Sequence, residues 1–410
     1  MDQPHGLIDQ LIKHRNRDRL VDTAARLIDA PSPTGQAGKA CDRLAEILEA
    51  DGFAVDRPDG GHPDAPAVVA RFDSGSPGPT LQFNGHLDTV HLPFVPARVE
   101  DGLLKGSGAS DMKGGVAAAV EALRMLRDSG ALTAGAILLT AHDLHEAPWG
   151  DGRQLDALIR AGIVGDAVLL PEPLHGVLPT DGRGSATWKV RISRAGPPVH
   201  EVMRPTDEPS VIAVGADLVA RLNRFDAQLA AEVNPVCGSA SVFIGQIHSG
   251  EIYNQYPQEC RLEGTRRWLP GTDGRAAEPE FRALLAELAS TTGTQIECDW
   301  QFIRDAFHLD QDHPFVSIFQ ESCERVSNRR LPLGGKPFVD DGNSFWALAG
   351  VPAITHGPNA GGQHTISEWA EIADMERVAL LYAVAAVGYC GSGTDRTEDE
   401  EWPQPAPYPI

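Results

Sequence analysis

The sequence predicts an α/β protein: a mostly parallel sheet with helices on both faces, interrupted by a smaller inserted α+β domain. Three observations lead to this prediction. Strand-like and helix-like segments alternate up to Gly182, a different order of segments follows, and the first alternation resumes from about Asp305. We therefore predict one domain formed by residues 1–181 and 305–410, and a second formed by residues 182–304.

The first domain begins with two predicted helices. Apolar residues repeat at helical spacing over 18–30 and 37–50, and the turn sequence PSPTG separates the two stretches. The next segments alternate in type: strands at 67–72 and 80–85, a helix at 113–126, a strand at 134–141, a short helix at RQLDALIRAG, and a strand at 166–173 that runs into a loop. Helices that connect successive strands in this way are typical of parallel sheets.

The inserted domain has a different order of elements. The segments ATWKVRIS, PSVIAVGADLVARLNRF, ASVFIGQI, ECRLEGTRRWL, EFRALLAELAST and TQIECDWQF predict strand, helix, strand, strand, helix and strand. This is the order of a ferredoxin-like fold. After it, FVSIFQESCERV predicts a helix, VPAITHGP a strand and MERVALLYAVAAVG the final helix, and the acidic, proline-rich residues 393–410 predict a tail.

Composition and charge exclude several classes of protein. The chain has 57 acidic and 35 basic residues, a net charge of -22 that disfavours binding to nucleic acid. No run approaches the ~20 apolar residues of a membrane helix, and the N-terminus has no apolar core of a signal peptide. The six cysteines are scattered singly. We expect a cytoplasmic protein with reduced thiols and neither a nucleic-acid nor a membrane partner.

Side chains able to bind metal follow several predicted strands. His86 and Asp88 follow the strand at 80–85, and Asp111 precedes the next helix. Each alone is typical of a structural residue, since a histidine after a strand is often hydrogen-bonded and an aspartate before a helix is often its cap. Glu146, Glu172 and His364 also follow predicted strands. Together, two imidazoles and three carboxylates at one sheet edge suit a pair of zinc ions.

The stretch TAHDLHEAPWGDGR, residues 140–153, contains a His-Glu pair but does not form the zinc-protease motif. That motif places two histidines four residues apart on one helix. Four residues after His145 comes Trp149, and Pro148 would break the helix. The rest of the chain must therefore decide what this stretch does.

The chain resembles the dinuclear zinc hydrolases of the M20 type, which include deacylases, desuccinylases and carboxypeptidases. The resemblance rests on NGHLDTV, GSGASDMKGG, PEP, IYNQYP, RRWLPG and HGPNAGGQHTISEW, which occur in family order along almost the whole chain. It implies metal-dependent hydrolysis of an amide in a small, carboxylate-bearing substrate, either an N-acyl amino acid or a small peptide. It also implies a homodimer formed through residues 182–304, which serve as a lid and dimerisation domain.

The resemblance assigns expected roles to the metal-site residues. His86 and Glu172 match ligands of one zinc ion, Glu146 and His364 match ligands of the other, and Asp111 matches the carboxylate that bridges them. Asp88 matches the carboxylate that orients the imidazole of His86. The expected cofactors are two Zn²⁺ ions, with Co²⁺ or Mn²⁺ as alternatives.

Further matches fall outside the metal site. His200 matches a histidine that reaches the partner subunit's active site and stabilises the tetrahedral oxyanion. Asn254 and Arg267 match residues that contact substrate, and the adjacent Arg266 is an alternative to Arg267. Gly361, in the loop GPNAGG at 357–362, would let backbone amides approach the ligand closely.

One position departs from the family pattern. The family has two adjacent glutamates where this chain has His145 and Glu146, and the first glutamate is the general base. We therefore expect His145 to be the base and Glu146 the ligand, whereas an alignment shifted by one residue exchanges these roles. An imidazole that accepts a proton becomes a cation beside two dications, so the substitution should weaken proton transfer unless Asp143 or another carboxylate offsets the charge. The alternatives to hydrolysis are amide formation, cyclisation, or a binding protein without hydrolytic activity.

Overall fold

The computed structural model describes residues 4–148, 150–336 and 338–392. Trp149 and the predicted tail at 393–410 lie outside these ranges. The α-helices are α1 (Pro4–Ile12), α2 (Arg17–Ile28), α3 (Gly38–Ala50), α4 (Gly114–Ser129), α5 (Arg153–Arg160), α6 (Val211–Leu229), α7 (Ala277–Thr292), α8 (Pro314–Ser327), α9 (Asp341–Ala349) and α10 (Ile372–Cys390). A π-helical turn at Ala109–Lys113 precedes α4, and short 3₁₀ turns lie at Glu201–Met203 and Gly274–Ala276.

The strands are β1 (Val55–Asp56), β2 (Val68–Asp73), β3 (Thr80–His86), β4 (Arg98–Glu100), β5 (Leu103–Lys105), β6 (Ala136–His142), β7 (Ala167–Leu170), β8 (Leu178–Gly182), β9 (Gly184–Ser193), β10 (Val199–His200), β11 (Val233–Asn234), β12 (Gly238–Ser239), β13 (Ser241–Ser249), β14 (Gln255–Tyr256), β15 (Glu259–Trp268), β16 (Gln295–Arg304), β17 (Phe307–His308), β18 (Leu333–Lys336), β19 (Ala353–Thr355), β20 (Ala360–Gly361) and β21 (Trp369–Glu371). The predicted strands and helices of the sequence correspond to members of these sets. The helices α1 and α9 and the short strands β1, β4, β5, β8, β10, β11, β12, β14, β17, β18, β20 and β21 were not predicted.

The described chain forms two compact units. One contains residues 4–180, 309–334 and 340–392, and the other contains Asp181–His308 with the short stretch Gly335–Val339. The predicted second domain, 182–304, falls within the second unit, which also takes in Asp181, residues 305–308 and Gly335–Val339, a stretch that begins within β18.

The first unit is built on a six-stranded sheet of order β1-β2-β6-β3-β7-β19. The pairs β6/β3, β3/β7 and β7/β19 are parallel, whereas β1/β2 and β2/β6 are antiparallel. Helices α4 and α10 pack against each other and on β3, and α5 and α9 pack together, with α9 on β7 and β19. The prediction of a mostly parallel sheet covered by helices on both faces is confirmed. The antiparallel strands lie at one edge.

Buried apolar segments explain this sheet and its last helix. Every residue of β6 and β7 is buried, as expected for strands that are covered on both faces. The helix α10 is buried along most of its length, from Val378 to Ala386, so its apolar character extends around the helix. A smaller sheet of order β20-β21-β5-β4 lies in the same unit.

The second unit has a four-stranded antiparallel sheet of order β13-β15-β9-β16, with α6 and α7 between strands in the chain. In β9 the buried residues Trp188, Val190 and Ile192 alternate with the exposed Lys189 and Arg191, so one face of this sheet is covered. The helices contribute Leu218 and Phe281, among others, to the same core. The ferredoxin-like prediction is confirmed.

Two further observations concern the whole described chain. Within residues 4–148, 150–336 and 338–392, no helix combines the length and apolar character needed to cross a membrane. All six cysteines are free, and Cys41, Cys260, Cys323 and Cys390 are buried.

Candidate metal centre

The carboxyl ends of the parallel strands bring the predicted metal-site residues together. His86 is the last residue of β3, next to His142 at the end of β6, and Glu172 lies two residues beyond β7. Asp111 reaches this edge from the π-helical turn before α4. A Cβ at Gly115 would lie 2.0 Å from the carbonyl oxygen of Pro171, so only glycine lets α4 approach the loop that carries Glu172 this closely.

Asp111 lies between two imidazoles. Its Oδ1 atom is 3.1 Å from Nε2 of His86, and its Oδ2 atom is 3.5 Å from Nε2 of His364. Oε1 of Glu172 lies 3.6 Å from the same His86 nitrogen, and Oε2 of Glu146 lies 3.2 Å from the same His364 nitrogen. The five residues therefore form two groups of imidazole and carboxylate donors that share Asp111.

This set of donors fits divalent cations. Imidazole nitrogen and carboxylate oxygen together are ligands that zinc accepts, and a shared carboxylate can bridge two ions. His86 is fully buried, and Glu146 and Glu172 are nearly so. Three carboxylates converging in a buried space require positive charge to offset their repulsion and desolvation. One cation could bind among His86, Asp111 and Glu172, and a second among Asp111, Glu146 and His364.

The pKa shifts of these side chains result from the same close approach of charged groups. Burial, followed by the charge of Asp111, raises the pKa of Glu172 to about 7. Hydrogen bonds to Asp111 and Glu146 raise the pKa of His364 to about 10. For Asp111, burial raises the pKa, but contacts with His364 and His86 outweigh it and hold the pKa well below the usual range. The raised pKa of His364 favours its protonated form beside these carboxylates, and a dication bound by the same atoms would displace that proton.

Asp88 connects His86 to the loop that carries Glu146. The Nδ1 atom of His86 lies 3.1 Å from the backbone oxygen of Asp88 and 3.5 Å from its Oδ1 atom. The other carboxylate oxygen accepts hydrogen bonds from the backbone amides of His145, at 3.0 Å, and Glu146, at 2.8 Å. One buried carboxylate thus contacts an imidazole on β3 and fixes the backbone after β6.

Glu368 supports Asp111 in a way that the sequence analysis missed. Its Oε2 atom accepts hydrogen bonds of 3.1 Å from the backbone amides of both Ser110 and Asp111. Burial, together with the charge of Asp111, raises the pKa of Glu368 to about 7. The only sequence signal was an acidic residue four positions after His364.

The comparison with known families agrees with this geometry. The model of peptidase family M20/M25/M40 matches residues 82–387, a range that contains all five donor residues. The chain belongs to this family. Among curated relatives, the succinyl-diaminopimelate desuccinylase of Methylobacterium radiotolerans is 29% identical over 390 residues, which cover 90% of this chain and 96% of the relative.

Solved structures show the same fold. The M20 family metallo-carboxypeptidase of Sulfolobus solfataricus has a TM-score of 0.77 at 15% identity and covers 91% of this chain and 99% of its own. A dinuclear metal-binding peptidase of the M20 family from Bacillus subtilis has a TM-score of 0.65 at 17% identity, covering 92% and 98%. Membership of family M20/M25/M40 makes this protein a metal-dependent hydrolase.

His145, the departure from the M20 pattern, lies against the metal centre. Its ring stacks on that of His86, with centroids 4.0 Å apart and planes inclined by 7°. Its Nδ1 atom is 2.8 Å from Oδ1 of Asp341, and its Nε2 atom is 3.8 Å from Oε1 of Glu172. Burial and His86 lower the pKa of His145, but Asp341 and Glu172 outweigh them and raise it to about 9.

The expectation was Asp143 or another carboxylate, and the carboxylate that contacts His145 is the other one, Asp341. Asp143 accepts hydrogen bonds of 2.8 Å from the backbone amides of Gly35 and Ala37, and it lies 3.1 Å from Nε2 of His62. It orders the turn between α2 and α3. The sequence offered little to find Asp341, because an acidic pair before a helix is explained by the capping role of Asp340 alone.

The predicted substrate residues of the M20 pattern are divided between the units. In the second unit, His200 is exposed and its Nε2 atom lies 3.2 Å from Nδ2 of Asn254. Arg266 is buried, paired with Glu280 and stacked on Phe225.

Arg267 differs from its neighbour. It is half-buried, and burial followed by the charge of Arg183 lowers its pKa. Its Nη1 atom has no hydrogen-bond partner in the described chain. Gly361 lies in the first unit, where a Cβ would come within 2.9 Å of the indole ring of Trp369, which gives a packing reason for glycine.

Proposed function

We propose that this M20 protein hydrolyses an amide bond in a small substrate with a free carboxylate, either an N-acyl amino acid or a short peptide. The observation that carries the proposal is the pair of imidazole and carboxylate groups that share Asp111. The similarity to a desuccinylase, named for the removal of an acyl group from an amino acid, supports deacylation.

The proposed cofactors are two divalent cations, with zinc as the first choice and cobalt or manganese as alternatives. His86 and Glu172 would hold one ion, Glu146 and His364 the other, and Asp111 both. Such ions would polarise the amide carbonyl and lower the pKa of an attacking water.

The remaining residues are proposed to move the proton and hold the substrate. His145 would accept the proton of the attacking water and later return it to the leaving amine. Asp88 would keep His86 and the backbone of residues 145–146 in place. Following the family resemblance, Arg267 and Asn254 would contact the substrate, and His200 of one subunit would stabilise the oxyanion in its partner. Because Arg266 is occupied by Glu280, we assign the substrate carboxylate to Arg267.

The test combines metal analysis with a substrate panel. The purified protein should contain two metal ions per chain and hydrolyse members of a panel of N-acyl amino acids and dipeptides. Methyl esters of the same compounds, which lack the free carboxylate, should be poor substrates, and Arg267→Ala should lose the preference for the free acid. A metal-loaded protein that hydrolyses no panel member would contradict the proposal and favour amide formation or cyclisation.

We also propose a homodimer formed through the second unit. The strand β13 is an edge of its sheet, and the side chains of Phe243 and Ile247 on it are 63% and 53% exposed. An edge strand with exposed apolar side chains is a surface on which a second copy can pair.

The wild-type protein should sediment as a dimer at micromolar concentration, and Phe243→Glu with Ile247→Lys should give a monomer, because both changes place charge in the proposed interface. Gln301→Glu, on the opposite edge strand β16, is the matched control and should remain dimeric. A wild-type protein that is monomeric and fully active would exclude this interface.

A further inference from the structure

A buried carboxylate lies behind the imidazole at the family's base position. Asp341, at the start of α9, is buried, and its Oδ1 atom lies 2.8 Å from Nδ1 of His145. We propose that Asp341 is a positioning residue: it holds His145 in the tautomer with the proton on Nδ1, which keeps the Nε2 lone pair directed into the metal centre. The inference rests on the proposed function, because the Nε2 lone pair serves catalysis only if His145 accepts a proton during hydrolysis.

The tautomer follows from the chemistry of the two partners. An ionised carboxylate only accepts hydrogen bonds, so at 2.8 Å the Nδ1 atom of His145 must be the donor. In a neutral imidazole the other nitrogen then carries the lone pair. That nitrogen, Nε2, is 3.8 Å from Oε1 of Glu172, which is beyond the length of a hydrogen bond. It is therefore not committed to this neighbour.

A buried chain of hydrogen bonds fixes the orientation of Asp341. The backbone amide of Gly165 donates to Oε1 of Gln82 at 2.9 Å, so the amide nitrogen of Gln82 is the group that faces Thr140. The hydroxyl of Thr140 accepts that bond and donates to Oδ1 of Asn84 at 2.7 Å. The amide nitrogen of Asn84 must then donate to Oδ2 of Asp341, at 2.8 Å. Because the backbone N–H of Gly165 can only donate, it fixes which atom donates and which accepts in each hydrogen bond of the chain up to Asp341.

The other oxygen of Asp341 contacts His145. His142 also lies 2.8 Å from Oδ2, through its Nε2 atom, so two side chains contact that oxygen and His145 contacts Oδ1. Buried, mutually supporting hydrogen bonds of this kind hold a side chain in one orientation. Asp341 is consequently a fixed acceptor for the Nδ1 proton.

The donor atoms of His86, His145 and Glu172 lie within 4.8 Å of one another, but the stacking of the two rings keeps their lone pairs from converging on one point. An imidazole binds metal along a lone pair in the plane of its ring, and these rings are nearly parallel with centroids 4.0 Å apart. One ion cannot lie in both planes. A cation held by His86 would leave Nε2 of His145 beside it, free to accept a proton.

His145 would take one proton during hydrolysis and return it to the leaving group. The Nε2 lone pair of His145 takes a proton from the attacking water as the water oxygen forms a bond to the amide carbon and the π pair of the carbonyl moves to its oxygen, from which it returns when the carbon–nitrogen bond breaks. His145 is then an imidazolium ion with protons on both nitrogens, and Asp341 remains ionised and hydrogen-bonded to Nδ1. As the carbon–nitrogen bond breaks, the Nε2 proton passes to the leaving amine. The charge of Asp341 offsets the cation that would otherwise form beside two dications.

The decisive variant is Asp341→Asn. The donor from Asn84 favours an oxygen at the Oδ2 position, which directs the new amide nitrogen towards the Nδ1 atom of His145. His145 is then forced into the tautomer with the proton on Nε2. In serine proteases the equivalent change costs ~10⁴-fold in kcat. We expect a loss in kcat of about the size expected for His145→Ala, ~100-fold or more, with a small change in KM and an unchanged metal content.

The tautomer itself is measured by long-range ¹H–¹⁵N correlation spectra of histidine-labelled, zinc-loaded protein, with His145 identified by its absence in His145→Gln. The wild type should show a protonated Nδ1, and Asp341→Asn a protonated Nε2. The control is Asp340→Asn, which makes the same change in charge one residue away. Asp340 caps α9 and accepts from the hydroxyl of Thr355, and asparagine caps as well as aspartate, so this variant should keep the wild-type tautomer.

A double variant separates positioning from a merely structural role. His145→Glu places a carboxylate against Asp341, and two like charges at that distance repel. A carboxylate has no tautomer for Asp341 to select. Adding Asp341→Asn should therefore raise the activity of His145→Glu, whereas it lowers the activity of the wild type. If Asp341 only stabilised the fold, Asp341→Asn would lower the activity of the wild type and of His145→Glu alike.

Three results would overturn the inference. The first is a wild-type His145 with its proton on Nε2, and the second is a His145 whose Nε2 binds zinc. The third is an equal loss of activity when Asp341→Asn is added to the wild type and to His145→Glu. The tautomer is measured without substrate. A protein with the expected tautomer that hydrolyses no amide would thus contradict the proposed function and leave the assignment of Asp341 standing.

Discussion

Replacing Asp111 with alanine should remove both metal ions and reduce hydrolysis to background. Its two carboxylate oxygens face different imidazoles, at 3.1 Å and 3.5 Å, so each proposed ion loses a ligand when this one side chain is removed. The remaining Glu146 and Glu172 also lose the dications that offset their desolvation. His364→Ala should instead lose chiefly one ion, because His364 contacts only the group formed with Glu146 and Asp111.

Metal content per chain, measured after dialysis, checks this expectation: about two in the wild type, about one in His364→Ala and none in Asp111→Ala. Ser110→Ala is the matched control, since the buried hydroxyl of Ser110 has no hydrogen-bond partner in the described chain and should be dispensable for metal binding. Equal metal content in Asp111→Ala, His364→Ala and the wild type would contradict the two-ion site.

Substituting His145 and Glu146 in turn should separate proton transfer from metal binding. His145→Ala should keep both ions but lower kcat by ~100-fold or more, which is the usual contribution of a general base. Glu146→Ala should lose metal, because Oε2 of Glu146 lies 3.2 Å from Nε2 of His364 in the second group of donors.

The same two variants distinguish the alignments of this loop. If the alignment shifted by one residue is right, His145→Ala loses metal and Glu146→Ala keeps it with a lower kcat. Metal content and kcat must therefore be measured on the same preparations. His145→Glu alone is a less direct test than the sequence suggested, because its carboxylate would lie against Asp341.

The sequence was sufficient for the fold and for naming the five side chains that the structure brings together at the candidate metal centre. Strand and helix patterns are local, so the alternation before Gly182 and the ferredoxin-like order after it could be recognised without knowing any contacts. His86 and Glu172 follow buried strands directly, and parallel strands bring their carboxyl ends to one edge. The antiparallel β1 and β2 were harder to foresee, because the direction in which a strand pairs is not encoded in its own residues.

The positions of the supporting residues required the tertiary structure. The sequence indicated Asp143 or another carboxylate as the group that could offset the charge of His145. Between them Leu144 takes a left-handed backbone conformation, with φ of 67°, and Asp143 binds the backbone at Gly35 and Ala37 instead. Glu368, which binds the amides of the Asp111 turn, is 257 residues from Asp111 in the chain.

For this protein, the sequence by itself determined the α/β class, the inserted domain, the M20 family and the set of imidazole and carboxylate donors, because these depend on local periodicity and on motifs a few residues long. The tertiary structure decided that Asp341, 196 residues from His145, lies against its Nδ1 atom and that the rings of His86 and His145 are stacked. Contacts of this kind depend on how α9 docks beside the strands. Packing over the whole unit sets that arrangement, and no short stretch of sequence records it.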